Sequence, residues 1–103
     1  MTDRIELPNR RKRTNIEFEH GGHTFVGGAG YFISGNVGEV FLHAGKEGTH
    51  LSVAMQDAAI AASFALQHGA TVSEMAPRFL RNDDGSAAGP LGHLFDLLAG
   101  KAK

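Results

Sequence analysis

At 103 residues the chain has the size of one domain and can close a single core. It has no Cys, which excludes disulfides, thiolate zinc sites, thiolate nucleophiles and thiyl radicals together, because each needs a sulfur atom from the chain. The formal net charge of -1 hides an asymmetry: Arg4, Arg10, Arg11, Lys12 and Arg13 make residues 1–14 basic, and the remainder is acidic.

That division predicts a basic amino-terminal arm, residues 1–14, ahead of a single domain over 15–103. A basic arm can neutralise phosphates and steer a polyanion. No base-stacking aromatics stand close to it in sequence, so a solvated leader or a patch for a protein partner is favoured over nucleic acid. There is no apolar run of about 18 residues and no secretory h-region at the amino end. The expectation is a soluble cytoplasmic chain with no membrane contact.

From Asn15 the pattern takes strand period. Ile16, Phe18 and His20 alternate with Glu17 and Glu19, and Gly21-Gly22 supplies the positive-φ pair of a tight hairpin turn. A two-residue loop sets His20 opposite His23 and Phe18 opposite Phe25, with Ile16, Phe18 and Phe25 on the core face. Gly27-Gly28-Ala29-Gly30 is too glycine-rich for an ordinary strand interior and predicts a bulge or a close backbone approach, with strand resuming at Tyr31-Phe32-Ile33. Ser34-Gly35-Asn36 reads as a second turn and Glu39 to His43 as the returning strand.

A long helix is expected from an N-cap at Thr49 to about His68, stopped by Gly69. Leu51, Val53, Met55, Ile60, Phe64 and Leu66, interleaved with alanines, make it apolar nearly all round, so most of its sides need cover. Three small strands and two short helices supply too little, which predicts a homodimer with this helix at its centre. Thr71-Val72-Ser73-Glu74 has capping-box spacing and starts a short helix to about Arg81, restricted by Pro77. A polar turn, Asn82 to Ser86, precedes a last helix from Pro90 through Leu98 to Gly100. Strands followed by helices define an α+β fold: a meander of about three strands, a long buried helix and two short helices.

The candidate chemistry is sparse. His20 and His23 are the best-placed metal pair, being neighbours across a hairpin, but no third ligand accompanies them and no metal is expected. Gly28-Ala29-Gly30 and Gly45 to Thr49 both lack the spacing of a nucleotide-binding loop. Glu39, Lys46, Arg81, Asn82, Asp84 and Ser86 would form a charged pocket if the strand end, the Gly45 loop and the Asn82 turn met at one end of the sheet. The simpler reading gives Asn82, Asp84 and Ser86 to the turn's own hydrogen bonds and pairs Lys46 with Glu39. No nucleophile and base can be paired.

Several blocks in order, Leu7-Pro8-Asn9-Arg10-Arg11, Phe18-Glu19-His20-Gly21-Gly22, Gly38-Glu39-Val40-Phe41-Leu42 with Ala44-Gly45-Lys46, Ala65-Leu66-Gln67-His68-Gly69, and Arg81-Asn82 followed by Asp84-Gly85-Ser86 and Gly89-Pro90-Leu91-Gly92, resemble the TSCPD domain. That domain occurs at the carboxyl end of adenosylcobalamin-dependent ribonucleotide reductases and in small standalone proteins. The resemblance implies an accessory or nucleotide-pathway binding domain without catalysis or a cofactor of its own. Its implied contact residues are Asn9, Arg10, Arg11, Glu39, Lys46, Arg81, Asn82, Asp84 and Ser86, and its implied partners are a reductase subunit, another protein or a nucleotide. Two departures stand out: the Thr-Ser-Cys-Pro-Asp segment is missing, and Pro77 falls where the resemblance implies an uninterrupted helix. The alternative is a small regulatory or inhibitory module that engages a protein or nucleic acid through the basic arm.

Overall fold

The computed structural model describes residues 3–44 and 50–101. Thr49, the expected N-cap, and Lys46, the expected partner of Glu39, lie outside them. Three antiparallel strands, β1 (Arg13–His20), β2 (His23–Tyr31) and β3 (Val37–Ala44), pair in the order β1-β2-β3. Three helices follow, α1 (His50–Gln67), α2 (Val72–Met75) and α3 (Pro90–Leu98), with a short 3-10 turn over Ala76–Arg78 between the last two. This is the expected α+β order.

The first hairpin has the register that its glycine pair dictates, with His20 opposite His23 and Phe18 opposite Phe25. Phe18, Phe25, Ala29, Val40 and Leu42 are buried on one sheet face against Met55, Ala59, Ala62 and Leu66 of α1 and Leu94 and Phe95 of α3. The Gly27–Gly30 stretch carries the expected irregularity at its end, but the strand closes at Tyr31 and does not resume through Ile33. The stretch runs inside β2, and the pairing shifts only between Gly30 and Tyr31, so Phe32 and Ile33 belong to the turn. The close approach comes from side chains. A Cβ built on Gly27 would sit 2.7 Å from Leu94 Cδ1, and one on Gly30 would overlap the Glu39 carboxylate. The glycines weaken local strand preference and in exchange admit α3 on one face and a buried acid on the other.

Helix α1 also protects the sheet edge. Strand β3 pairs with β2 on one side only, leaving the outward groups of alternate residues unanswered. The Val40 amide donates to Ser63 Oγ at 2.9 Å, and Gln67 Nε2 donates to the Gly38 carbonyl at 3.1 Å. Ser63 and Gln67 are four helical residues apart, about 6 Å of rise, and Gly38 and Val40 are two strand residues apart, about 6.6 Å. The two spacings match. Helices α1 and α3 both end in Schellman motifs, with Gly69 and Gly100 at positive φ and Ala70 and Lys101 amides reaching back to the Ala65 and Asp96 carbonyls.

The capping box at Thr71 and Glu74 forms as expected, but the α-helix it opens stops at Met75. Pro77 lacks the amide that would continue the ladder, and the chain tightens into the 3-10 turn before extending at Phe79. Helix α1 differs from expectation too. Ser52, Met55, Ala59, Ala62 and Leu66 are buried, but Leu51, Val53, Ile60 and Phe64 point away from the sheet and are exposed.

The Gly27–Leu94 contact makes a stability prediction. Leu94→Ala should cost about 2–5 kcal/mol and Gly27→Ala about 1–3 kcal/mol in urea unfolding. The double variant should cost less than their sum, because the added methyl occupies space that the shortened side chain vacates. Strict additivity would show that the two positions do not compete for one volume.

Candidate functional site

The expected polar pocket divides into two clusters. Glu39 lies opposite Gly30, which in turn lies opposite Arg13, so it sits at the start of β1. Arg81 lies beside His20 and Gly21, at the far end of the same strand, about 23 Å away along seven residues. The Asn82 turn follows Arg81 to that end, whereas Glu39 is fixed in register at the other. The two therefore cannot form one site.

At the Glu39 end, strand alternation turns the carboxylate to the sheet face opposite the helices, where it is nonetheless buried. Arg11 closes over it with Nε and Nη2, the latter 3.2 Å from Oε1, while Nη1 donates to the Pro8 carbonyl at 3.0 Å. These hydrogen bonds raise the guanidinium pKa further. Arg13 Nη2 is 3.9 Å from Glu39, and its guanidinium lies 4.9 Å above the Phe41 ring. Lys12 Nζ is 5.8 Å above the Tyr31 ring. Farther along the arm, Arg4 Nε donates to Gln67 Oε1 at 2.8 Å and the Ile5 amide to the Gln67 carbonyl at 2.6 Å. Much of the arm's charge is thus bound to the domain. Asn9 and Arg10 remain exposed.

At the Arg81 end, a cavity of about 730 Å³ is bordered by Glu19, His20, Arg81, Asn82, His93 and Lys101, among others. Its wall is a charge pair between Arg81 and Asp96, two-pronged, with Nη2 to Oδ1 at 2.8 Å and Nη1 against Oδ2. Arg81 also donates to the Ala76 carbonyl and, at 3.4 Å, to the Gly85 carbonyl. It therefore ties the 3-10 turn, the Asn82 turn and α3 together. The hydrogen bonds from Arg81 hold the Asp96 carboxyl below its ordinary value, with smaller pulls from His93 and Lys101.

Asn82, Asp84 and Ser86 serve the turn. Ser86 donates to Asp84 Oδ1 from its amide at 2.9 Å and from its hydroxyl at 2.5 Å, and Asn82 Nδ2 donates to Ser86 Oγ at 3.1 Å. The bonds from Ser86 lower the Asp84 pKa.

His20 turns away from His23. Its Nε2 is 3.1 Å from the Ala88 carbonyl and its Nδ1 is 3.1 Å from His93 Nδ1. A carbonyl only accepts, so His20 Nε2 carries a proton; in the neutral ring Nδ1 then accepts from His93. Among the described residues no three His, Asp or Glu side chains gather as metal ligands. His93, Asp96 and Gln67 have no counterpart among the candidates read from sequence. Asp96 had a signal, as a lone carboxylate inside the apolar run Leu94 to Leu98, and Gln67 had a similar one at the end of α1.

A three-stranded meander backed by helices, with internal charge pairs at both ends, defines a small α+β domain. The chain belongs to the TSCPD domain family, which it matches over residues 3–100. It is 36% identical over 77 residues to a vitamin B12-dependent ribonucleotide reductase of Agrobacterium fabrum, and 34% identical over 79 residues to that of Bradyrhizobium diazoefficiens. These alignments cover 75% and 77% of this chain but 6% of each reductase. No solved structure matches it. Among the described residues, no helix is long and apolar enough to cross a membrane.

The depressed titration of Asp96 sets a pH dependence. Unfolded, the carboxyl takes a proton near its ordinary 3.8; folded, only at lower pH. Its contribution is complete above the ordinary value and is lost as pH falls through the folded value. Urea midpoints should fall between pH 5 and pH 3, and Asp96→Asn should flatten the decline while lowering the midpoint at pH 7. Asp84 acts in the same direction, so an unchanged slope in Asp96→Asn would assign the acid sensitivity elsewhere.

Proposed function

We propose that this chain is a non-catalytic accessory domain of a ribonucleotide reductase system, acting by contact with a reductase subunit and with nucleotides. The observation that carries this reading is the use of the charged residues. Glu39 with Arg11, Asp96 with Arg81, and Gln67 with Arg4 are struts inside the fold, in a chain that has no sulfur nucleophile. Family membership with the reductase domain thus accompanies, among the described residues, charged groups committed to holding the fold.

The cavity at the Arg81 end is the surface assigned to the ligand. Lys101, on the cavity's border, offers a phosphate-bearing molecule a cationic partner. The arm-based regulatory reading has less support, because Arg4, Arg11 and Arg13 are engaged with the domain.

Two measurements test it. The immobilised domain should retain a vitamin B12-dependent ribonucleotide reductase, and adding it to that enzyme should change turnover. Nucleoside diphosphates or triphosphates should raise the melting temperature saturably, reaching about 2.7 kcal/mol at a hundredfold excess over Kd. Lys101→Glu should abolish that rise. Absence of both retention and stabilisation would overturn the proposal.

A further inference from the structure

The outward face of α1 is the largest feature of the surface that the accessory reading leaves unused. Leu51, Val53, Ile60 and Phe64 are 66%, 51%, 67% and 56% exposed. Ala54, Ala58 and Ala61 are exposed between them. Beside this face, Ala54 and Ala58 border an apolar groove of about 350 Å³ closed by Phe79, Leu80, Pro90 and Leu91, with Leu80 itself 83% exposed. Among the described residues, no charged one lines the groove. Five large apolar side chains, Leu51, Val53, Ile60, Phe64 and Leu80, are thus at least half exposed on or beside one face, where a standard specific interface buries about 800 Å² per partner.

Charge selects the occupant. Apart from His50, the helix has one titratable side chain, Asp57, and no Lys or Arg. A helix lying on an anionic lipid surface needs a basic polar face, which is absent. A charged protein partner would find no complementary field here. A patch with one charge, Asp57, between the Ala54, Ala58 and Ala61 stripe and the larger Val53, Ile60 and Phe64 is by contrast compatible with itself when a two-fold axis brings the same patch together from two copies with the Asp57 side chains offset. The alanines let the two backbones approach closely while Ile60 and Phe64 pack beside them.

We infer that the partner of this face is a second copy of the chain, with α1 packed on α1 across a two-fold axis. The inference rests on the reading of the protein as a contact domain and names the contact. The absence of Cys makes the test direct, since any disulfide must come from an introduced residue.

Light scattering on the full chain should give twice the 10.9 kDa chain mass at micromolar concentration. Phe64→Glu and Ile60→Lys should each weaken association at least 100-fold with unchanged circular dichroism, because both side chains are exposed in the single chain. Ala54→Cys or Ala61→Cys should form a disulfide-linked dimer on mild oxidation, whereas Glu17→Cys on the opposite sheet face should not. A wild-type monomer at 100 µM, or a dimer indifferent to both charge substitutions, would overturn the inference. Retention of a reductase by the Phe64→Glu monomer separates the two ideas. If wild type is monomeric and the reductase is still retained, only the dimer fails; if dimers form and no reductase is retained, only the accessory function fails.

Discussion

A carboxylate taken out of water must be answered by a cation, and this fold contains two such acids at opposite ends of one sheet. Glu39 is answered by Arg11 and Asp96 by Arg81. In each case the arginine comes from a segment without regular structure, the amino-terminal arm or the stretch after the 3-10 turn. The ion pair therefore does more than neutralise a charge. Losing either arginine would leave a buried acid uncompensated, a costlier state than never having buried it. The pairs thus add tertiary anchors to segments that otherwise hold only a few backbone bonds, such as Ala88 amide to Leu80 carbonyl and Tyr31 amide to Lys12 carbonyl.

The distribution of these pairs explains what could be read from the amino acids and what could not. The hairpin register follows from strand alternation around Gly21-Gly22, and the helix ends follow from Gly69, Gly100 and the Thr71–Glu74 box, all decided by neighbours a few residues apart. The meeting of Arg81 with Asp96, and the distance between Arg81 and Glu39, depend on where the chain returns after the helices. Local pattern contains no such information. The same limit applies to His20, whose partner His93 is 73 residues away.

The Gly27–Gly30 stretch shows local preference overruled by tertiary packing. Four small residues in a row argue against a strand on propensity alone. Here the strand is held from both sides by paired neighbours, and the missing side chains make room for Leu94 on one face and the Glu39 carboxylate on the other. Glycine in this strand is a packing choice. It also couples the two ends of the molecule, since α3 depends on Gly27 and the arm's anchor depends on Gly30.

The same geometry bears on how far a stretch that aligns with 6% of a reductase is closed on itself. Its radius of gyration, 13.3 Å, is that of a chain of about 100 residues closed on its own core. Among the described residues α1 is exposed on one side at Leu51, Val53, Ile60 and Phe64, while the opposite side of the same helix is anchored through Ser63 and Gln67. A helix held rigidly by one side presents the other in a fixed shape, so association there would not require the helix to order first. The missing cysteines remove one class of chemistry from the chain, and the proposed dimer would place contact at the α1 face instead.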